Sequence, residues 1–132
     1  MHALYQKASG LTESIIAAAI EVHKTLGPGL LESVYEWCLI RELELRGFSC
    51  CNQKSVVITY KGLSREEPLR FDVLIDECVL VEVKACECVV PIHKATLLSY
   101  MKLLDIPIGL VINFHETKLV DGLSRLILPG AN

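Results

Sequence analysis

The chain contains no apolar run long enough to span a membrane, because Glu13, Glu21 and His23 interrupt its most apolar N-terminal stretch. It also lacks the basic start and small-residue cleavage site of a secretory leader, so a cytoplasmic protein without membrane contact is the expectation. There is no excess of positive charge: 13 Lys and Arg against 16 Asp and Glu leave a net charge of −3, which argues against tight non-specific binding of polyanions. No Pro/Gly/Ser-rich linker, low-complexity tract or internal repeat divides the 132 residues, so a single domain over 1–132 is expected, with residues 1–10 loosely ordered. The six cysteines include no C-x-x-C pair, only adjacent Cys50 and Cys51, a "CEC" at Cys86–Cys88, and isolated Cys38 and Cys78. A zinc knuckle is therefore not expected, and the cysteines read as reduced and mostly buried. His23, His93 and His115 lack the H-x-x-x-H spacing of a metal site, so surface or capping roles are expected for them.

What is present is 52% hydrophobic residues, far from the composition of a disordered chain, arranged in two periodicities. From Thr12, read as an N-cap, "TESIIAAAIEVHKTL" has near-helical apolar spacing and ends at Gly27-Pro28-Gly29. "LLESVYEWCLIRELELRG" then carries a stripe of Leu31, Val34, Tyr35, Cys38, Leu39 and Leu43, with Glu36, Arg41, Glu44 and Arg46 mostly opposite and Gly47 as the stop. Beyond it the period changes to two: "SVVITYKG", "LRFDVLI" and "CVLVEVKA" read as strands. "HKATLLSYMKLLD" is a further helix, "IGLVINF" a central strand and "LSRLIL" an edge strand. The order α-α-β-β-β-α-β-β defines an α/β (α+β) domain, a mixed sheet flanked by helices.

Three charged residues sit on these apolar strands: Asp72, Glu82 and Lys84. Glu82 and Lys84 leave a strand by the same face. A two-residue turn at Asp76-Glu77 would set Asp72 opposite Val81, whereas a three-residue loop, Asp76 to Cys78, sets it opposite Glu82. The three-residue loop or an equivalent bulge is expected. An isolated pattern of this kind is ordinarily a salt bridge, with Lys84 neutralising Glu82 and Asp72 facing solvent. If all three converge, one negative charge is left over, and a buried uncompensated charge is costly. A divalent cation removes the surplus. Two carboxylates with water and a main-chain carbonyl make the oxygen-rich site that Mg²⁺ prefers, and such an ion lets an acidic protein act on a polyanion.

Asp72 followed by Glu82-Val83-Lys84 resembles the D…(D/E)-x-K signature of the PD-(D/E)XK nuclease superfamily, and "GLLESVY", Gly29 to Tyr35, resembles the signature of its GxxExxY group. "YKG", "VEVKA", "HKATLLSYMK" and "GLVINF" fall in that group's order, so the resemblance spans Leu11 to Leu128. It implies a restriction-endonuclease-like core and a Mg²⁺-dependent nuclease (Mn²⁺ substituting) that hydrolyses phosphodiester bonds of nucleic acid, DNA in the first instance. It further implies that Asp72, Glu82 and the Val83 carbonyl hold the cation. Lys84 would orient or help deprotonate the attacking water, and Glu32 would complete the metal shell or hold a water on it.

Two positions depart from the family pattern: Thr96 stands where Gln is common on the helix after the catalytic strand, and Phe71 replaces the proline of the superfamily name. Thr96 supports an alternative, a non-catalytic nucleic-acid- or protein-binding module on the nuclease scaffold. Tyr35 is expected in the core with its hydroxyl partnered. Lys54, Lys61, Arg65 and Arg70 form either a backbone-contacting patch or, since Glu66 and Glu67 interrupt them, a solvated surface loop. The "CEC" lies near enough to Lys84 to line the site, with spacing unlike the four cysteines of an iron–sulfur cluster. A domain this small would need a twin to span a duplex, which leaves a homodimer open without a motif to mark it.

Overall fold

The computed structural model describes all 132 residues, Met1–Asn132. The first helix, α1 (Tyr5–Leu26), begins earlier than expected. Thr12 is no N-cap: it lies within the helix, its hydroxyl donating to the Ser9 carbonyl at 2.8 Å. Ala8, Thr12, Ile15, Ala19 and Val22 are buried at steps of four and three, so one stripe runs back past Thr12 to Ala8. Residues 5–10, expected to be loosely ordered, are therefore helical.

Helix α2 (Glu32–Leu45) buries Tyr35, Leu39 and Leu43, while Leu31, assigned to that stripe, is 75% exposed in the extended residue before the helix. Its end is a Schellman turn: Gly47, at φ 90°, donates to Glu44 O and Phe48 N–H to Leu43 O, both at 3.0 Å. Five strands follow in one mixed sheet of order β1-β2-β3-β4-β5: β1 (Cys50–Tyr60), β2 (Leu63–Ile75), β3 (Val79–Lys84), β4 (Ile108–Asn113) and β5 (Leu123–Ile127). Helix α3 (Pro91–Leu104) makes the crossover between the parallel strands β3 and β4. All residues of β4 are buried, as a central strand requires. Residues 63–68, which precede the strand expected from Leu69, are the outer half of β2, paired with β1 around a Lys61-Gly62 turn in which both residues have positive φ.

The sheet separates two cores. On one side α1 and α2 pack Ile15, Tyr35 and Leu39 against Val79, Val81, Val83, Leu110 and Phe114. On the other, Leu97 and Met101 of α3 pack against Leu74, Leu80 and Val111. Gly109 allows the close approach of α3, since a Cβ there would stand 2.6 Å from Met101 Sδ and 3.0 Å from Leu97 Cδ2. Helix α3 opens with Pro91 at its first turn and His93 Nδ1 accepting the Val90 N–H, a capping role; His23, by contrast, is buried, its ring bonded to the Glu116 carbonyl rather than at the surface. No helix is long and apolar enough to cross a membrane.

Candidate functional site

The geometry starts at the β2–β3 connection. Asp76 and Glu77 are both left-handed, at φ 49° and 60°, and the Cys78 N–H donates back to Ile75 O at 3.0 Å. Strand pairing resumes only at Ile75↔Val79, so Cys78 is the extra residue of a three-residue connection. Ser49 pins this turn from the α2–β1 side: its carbonyl accepts the Asp76 N–H and its N–H donates to Asp76 Oδ1, both at 2.8 Å. The register continues through Leu74↔Leu80 and Val73↔Val81, which sets Asp72 level with Glu82, as the odd loop requires.

At the same point β2 parts from β1. Cys51 pairs with Leu74 and Gln53 with Arg70, so Asn52 alone faces the three residues Phe71, Asp72 and Val73. This irregularity lets Leu69 and Phe71 join the same α3-side core as Leu74, which strict alternation forbids. Asp72 thus sits at a kink where a side chain can be aimed independently of the pleat.

Asp72 does not face solvent. Its Oδ2 accepts the Val83 N–H at 2.6 Å, tying β2 to β3 beyond the last ladder pair. Lys84 ends β3 with its Nζ 3.9 Å from Glu82 Oε2 and 3.8 Å from Glu32 Oε1. Glu32, the first residue of α2, is positioned from behind by Tyr35, whose hydroxyl donates to the Gly27 carbonyl and accepts the Leu30 N–H, while its ring stacks on Phe114 at 4.6 Å. Tyr35 is thus a core residue with a partnered hydroxyl. Val83 buries its side chain against the α1–α2 core.

Two residues escaped the sequence reading. Glu36, assigned to the solvent side of α2, is half-buried one helical turn after Glu32 and close enough to Asp72 for the two charges to oppose each other. The i,i+4 spacing to Glu32 was the available signal. Asn113 ends β4 beside Lys84 and is 1% exposed. Its Oδ1 accepts the Cys86 and His115 N–H groups at 3.1 and 3.2 Å, and its Nδ2 donates to the Cys86 carbonyl at 2.8 Å, fixing the chain that leaves Lys84.

Four carboxylates, Glu32, Glu36, Asp72 and Glu82, therefore share one neighbourhood with a single ammonium, which lies 3.8 Å from Glu32 and 3.9 Å from Glu82. Burial, then the charge of Asp72, pushes Glu82 up to about 7, against the opposing pull of Lys84. Burial likewise raises Asp72, opposed by the Val83 N–H and Lys84; Glu36 rises through burial and then the charges of Asp72 and Glu32. A single Lys84–Glu82 ion pair does not balance this cluster. No three His, Cys, Asp or Glu side chains form a ready-made metal cage. The donors are carboxylate oxygens with main chain and solvent beside them, which fits a hard, partly hydrated divalent cation rather than zinc.

The remaining candidates do not converge on the site. Lys54 pairs with Glu77, Arg65 with Glu67 at 2.7 Å, and Lys61 lies 5.3 Å over the Tyr60 ring. By register Lys54 and Arg65 share one face of the hairpin and Arg70 the other, so these cations form no single patch. Thr96 is exposed on α3, and Cys86 hydrogen-bonds through sulfur to the Cys88 carbonyl.

A mixed sheet with helices on both faces, carrying an aspartate level with the glutamate of a Glu-x-Lys strand end, defines a nuclease-type fold. A family model of the PD-(D/E)XK nuclease superfamily matches residues 9–126, and the chain belongs to that superfamily. Nucleases of this superfamily typically use divalent metals and act on nucleic acid. No curated protein and no solved structure matches the chain.

Proposed function

We propose that the protein is a Mg²⁺-dependent nuclease, with Mn²⁺ as a substitute, that hydrolyses DNA phosphodiester bonds in the cytoplasm. The observation that carries the reading is the register: the Asp76–Cys78 loop sets Asp72 level with Glu82, with Lys84 between Glu82 and Glu32. The Gly29–Tyr35 segment further supports membership of the GxxExxY group, because Glu32 is brought to the site and Tyr35 braces the loop before it.

Asp72, Glu82 and the Val83 carbonyl would hold the cation, with Glu32 at the edge of its shell. A bound divalent ion shields the phosphoryl oxygens and acidifies water. The chain's own groups do the rest. Glu82 and Asp72, crowded and raised, ionise fully only when their repulsion is offset. Lys84 orients the attacking water and stabilises charge developing on the phosphate. Asn113 holds the backbone after Lys84, so the ammonium is presented from a rigid strand end.

The test is cleavage of single- and double-stranded DNA and RNA with Mg²⁺ or Mn²⁺. Activity that is lost in Lys84→Ala while the fold is kept supports the reading. No cleavage of any form by the native protein sinks it. One observation favours a second reading, a non-catalytic binding module: Thr96 is exposed and contributes no hydrogen bond to the site. Such a module would keep its partner in Lys84→Ala.

A further inference from the structure

The sheet has three stretches of unpaired strand edge, and they are not treated alike. β5 has five residues, and its Arg125 reaches across to Ser9 of α1. The outer half of β2 extends beyond β3, and its free edge carries Pro68 and the adjacent charges of Glu66 and Glu67. Both are edges blunted by shortness, proline or charge. β1 is the exception. Its outer part, Ser55-Val56-Val57-Ile58-Thr59-Tyr60, has no charge, no proline and no bulge, and is built almost wholly from β-branched and aromatic residues. Val57 and Tyr60 are 69% and 68% exposed.

The hairpin fixes which backbone groups face outwards. The Lys61-Gly62 turn closes on Tyr60↔Leu63, the hydrogen-bonded pair of a two-residue hairpin. Counting back by twos, Ile58, Val56 and Lys54 turn N–H and C=O towards β2, and Thr59, Val57 and Ser55 turn theirs to the open side. Pro68, opposite Ser55, agrees with this phase, since that position gives β1 no hydrogen bond.

We propose that β1 pairs antiparallel with β1 of a second copy of this chain, on a two-fold axis through Val57, to make one continuous sheet. A two-fold axis normal to the sheet keeps each face continuous, so only residues of equal parity can oppose one another. With Val57 opposite itself, Val56 meets Ile58, Ser55 meets Thr59 and Lys54 meets Tyr60. The outward groups of Ser55, Val57 and Thr59 then exchange about six hydrogen bonds. No like charges face each other along this register. Centring one residue earlier instead sets Lys54 against apolar Ile58. The self-complementarity of the strand is what selects a second copy as its occupant, and the pairing does not depend on the nuclease reading.

Sedimentation velocity on the full chain, from about 1 to about 200 µM, tests it with two variants. Val57→Pro removes an outward N–H and no hydrogen bond to β2. Val57→Lys places two ammonium groups on the axis through a side chain that is already exposed. The native chain should show a concentration-dependent dimer, and both variants should weaken it by at least about tenfold while keeping the native circular dichroism. Should Val57→Pro fail to fold, Val57→Lys decides. A native chain that stays monomeric across the range, or a dimer that Val57→Lys leaves intact, overturns the proposal.

Discussion

The Asp72 carboxylate accepts the backbone N–H of Val83 at 2.6 Å, so the strand that carries the Glu-x-Lys pattern is held through its own main chain by the aspartate level with it. Neither Glu82 nor Lys84 can shift along β3 without breaking a charge-assisted hydrogen bond. The relationship makes the acidic cluster a rigid unit, and its expected behaviour follows from that.

Lys84 is the cluster's one cation and its side chain is only 23% exposed, so its removal leaves Glu82 and Asp72 uncompensated. Lys84→Met should stay folded but lose up to about 3 kcal/mol in the metal-free protein at about pH 8, and less at about pH 6, where Glu82 takes up a proton. Cleavage should fall by about 10²–10³, the scale for losing one charge-stabilising donor. Denaturant unfolding and a single-turnover assay on the same preparation separate the two.

Glu82 is held at about 7, above the ordinary glutamate value of 4.5. A carboxyl raised in this way binds its proton more tightly when folded. Its contribution to stability is full below the unfolded value and is lost as pH rises through the folded one. Asp72 and Glu36 are shifted in the same direction. The metal-free protein should therefore show a falling Tm between about pH 5 and pH 8, and Glu82→Gln should flatten part of that fall. Mg²⁺ should raise the Tm more at pH 8 than at pH 6. Differential scanning calorimetry in matched buffers reads all three.

Glu36 adds negative charge against Asp72. Glu36→Gln keeps a hydrogen-bonding group and removes the repulsion. Without metal at pH 8 the variant should be more stable than the native protein, yet its affinity for a divalent cation should be weaker, because the site has lost charge. Thermal melting and isothermal titration should thus move in opposite senses.

Asn113 satisfies three backbone groups from a position 1% exposed. Asn113→Leu strands them in the interior and should destabilise the fold by about 3 kcal/mol. The loop from Ala85 to Cys88 should lose protection in hydrogen exchange before β3 does.

Much of this was legible in the chain. Periodicity marked the order of elements, and the three-residue loop, expected because only it sets Asp72 opposite Glu82, is the one that the pairing shows. Other features depend on contacts distant in sequence. Glu36 reads as a solvent-facing helical residue because its partner is brought to α2 only by the kink at Phe71–Val73, opposite Asn52. Asn113 reads as the tail of an apolar strand, since nothing local announces that the chain after Lys84 will need its carbonyl and amide. The start of α1 was obscured by Ser9-Gly10, a pair with poor helix propensity that the buried stripe from Ala8 to Val22 overrides.

The most direct measurement is the anomalous scattering of a crystal soaked in Mn²⁺. A peak bonded to Asp72 and Glu82 at oxygen-ligand distances, absent from crystals of Asp72→Ala, is the expected result. Crystals of the native protein that show no density between these two carboxylates at saturating Mn²⁺ contradict it.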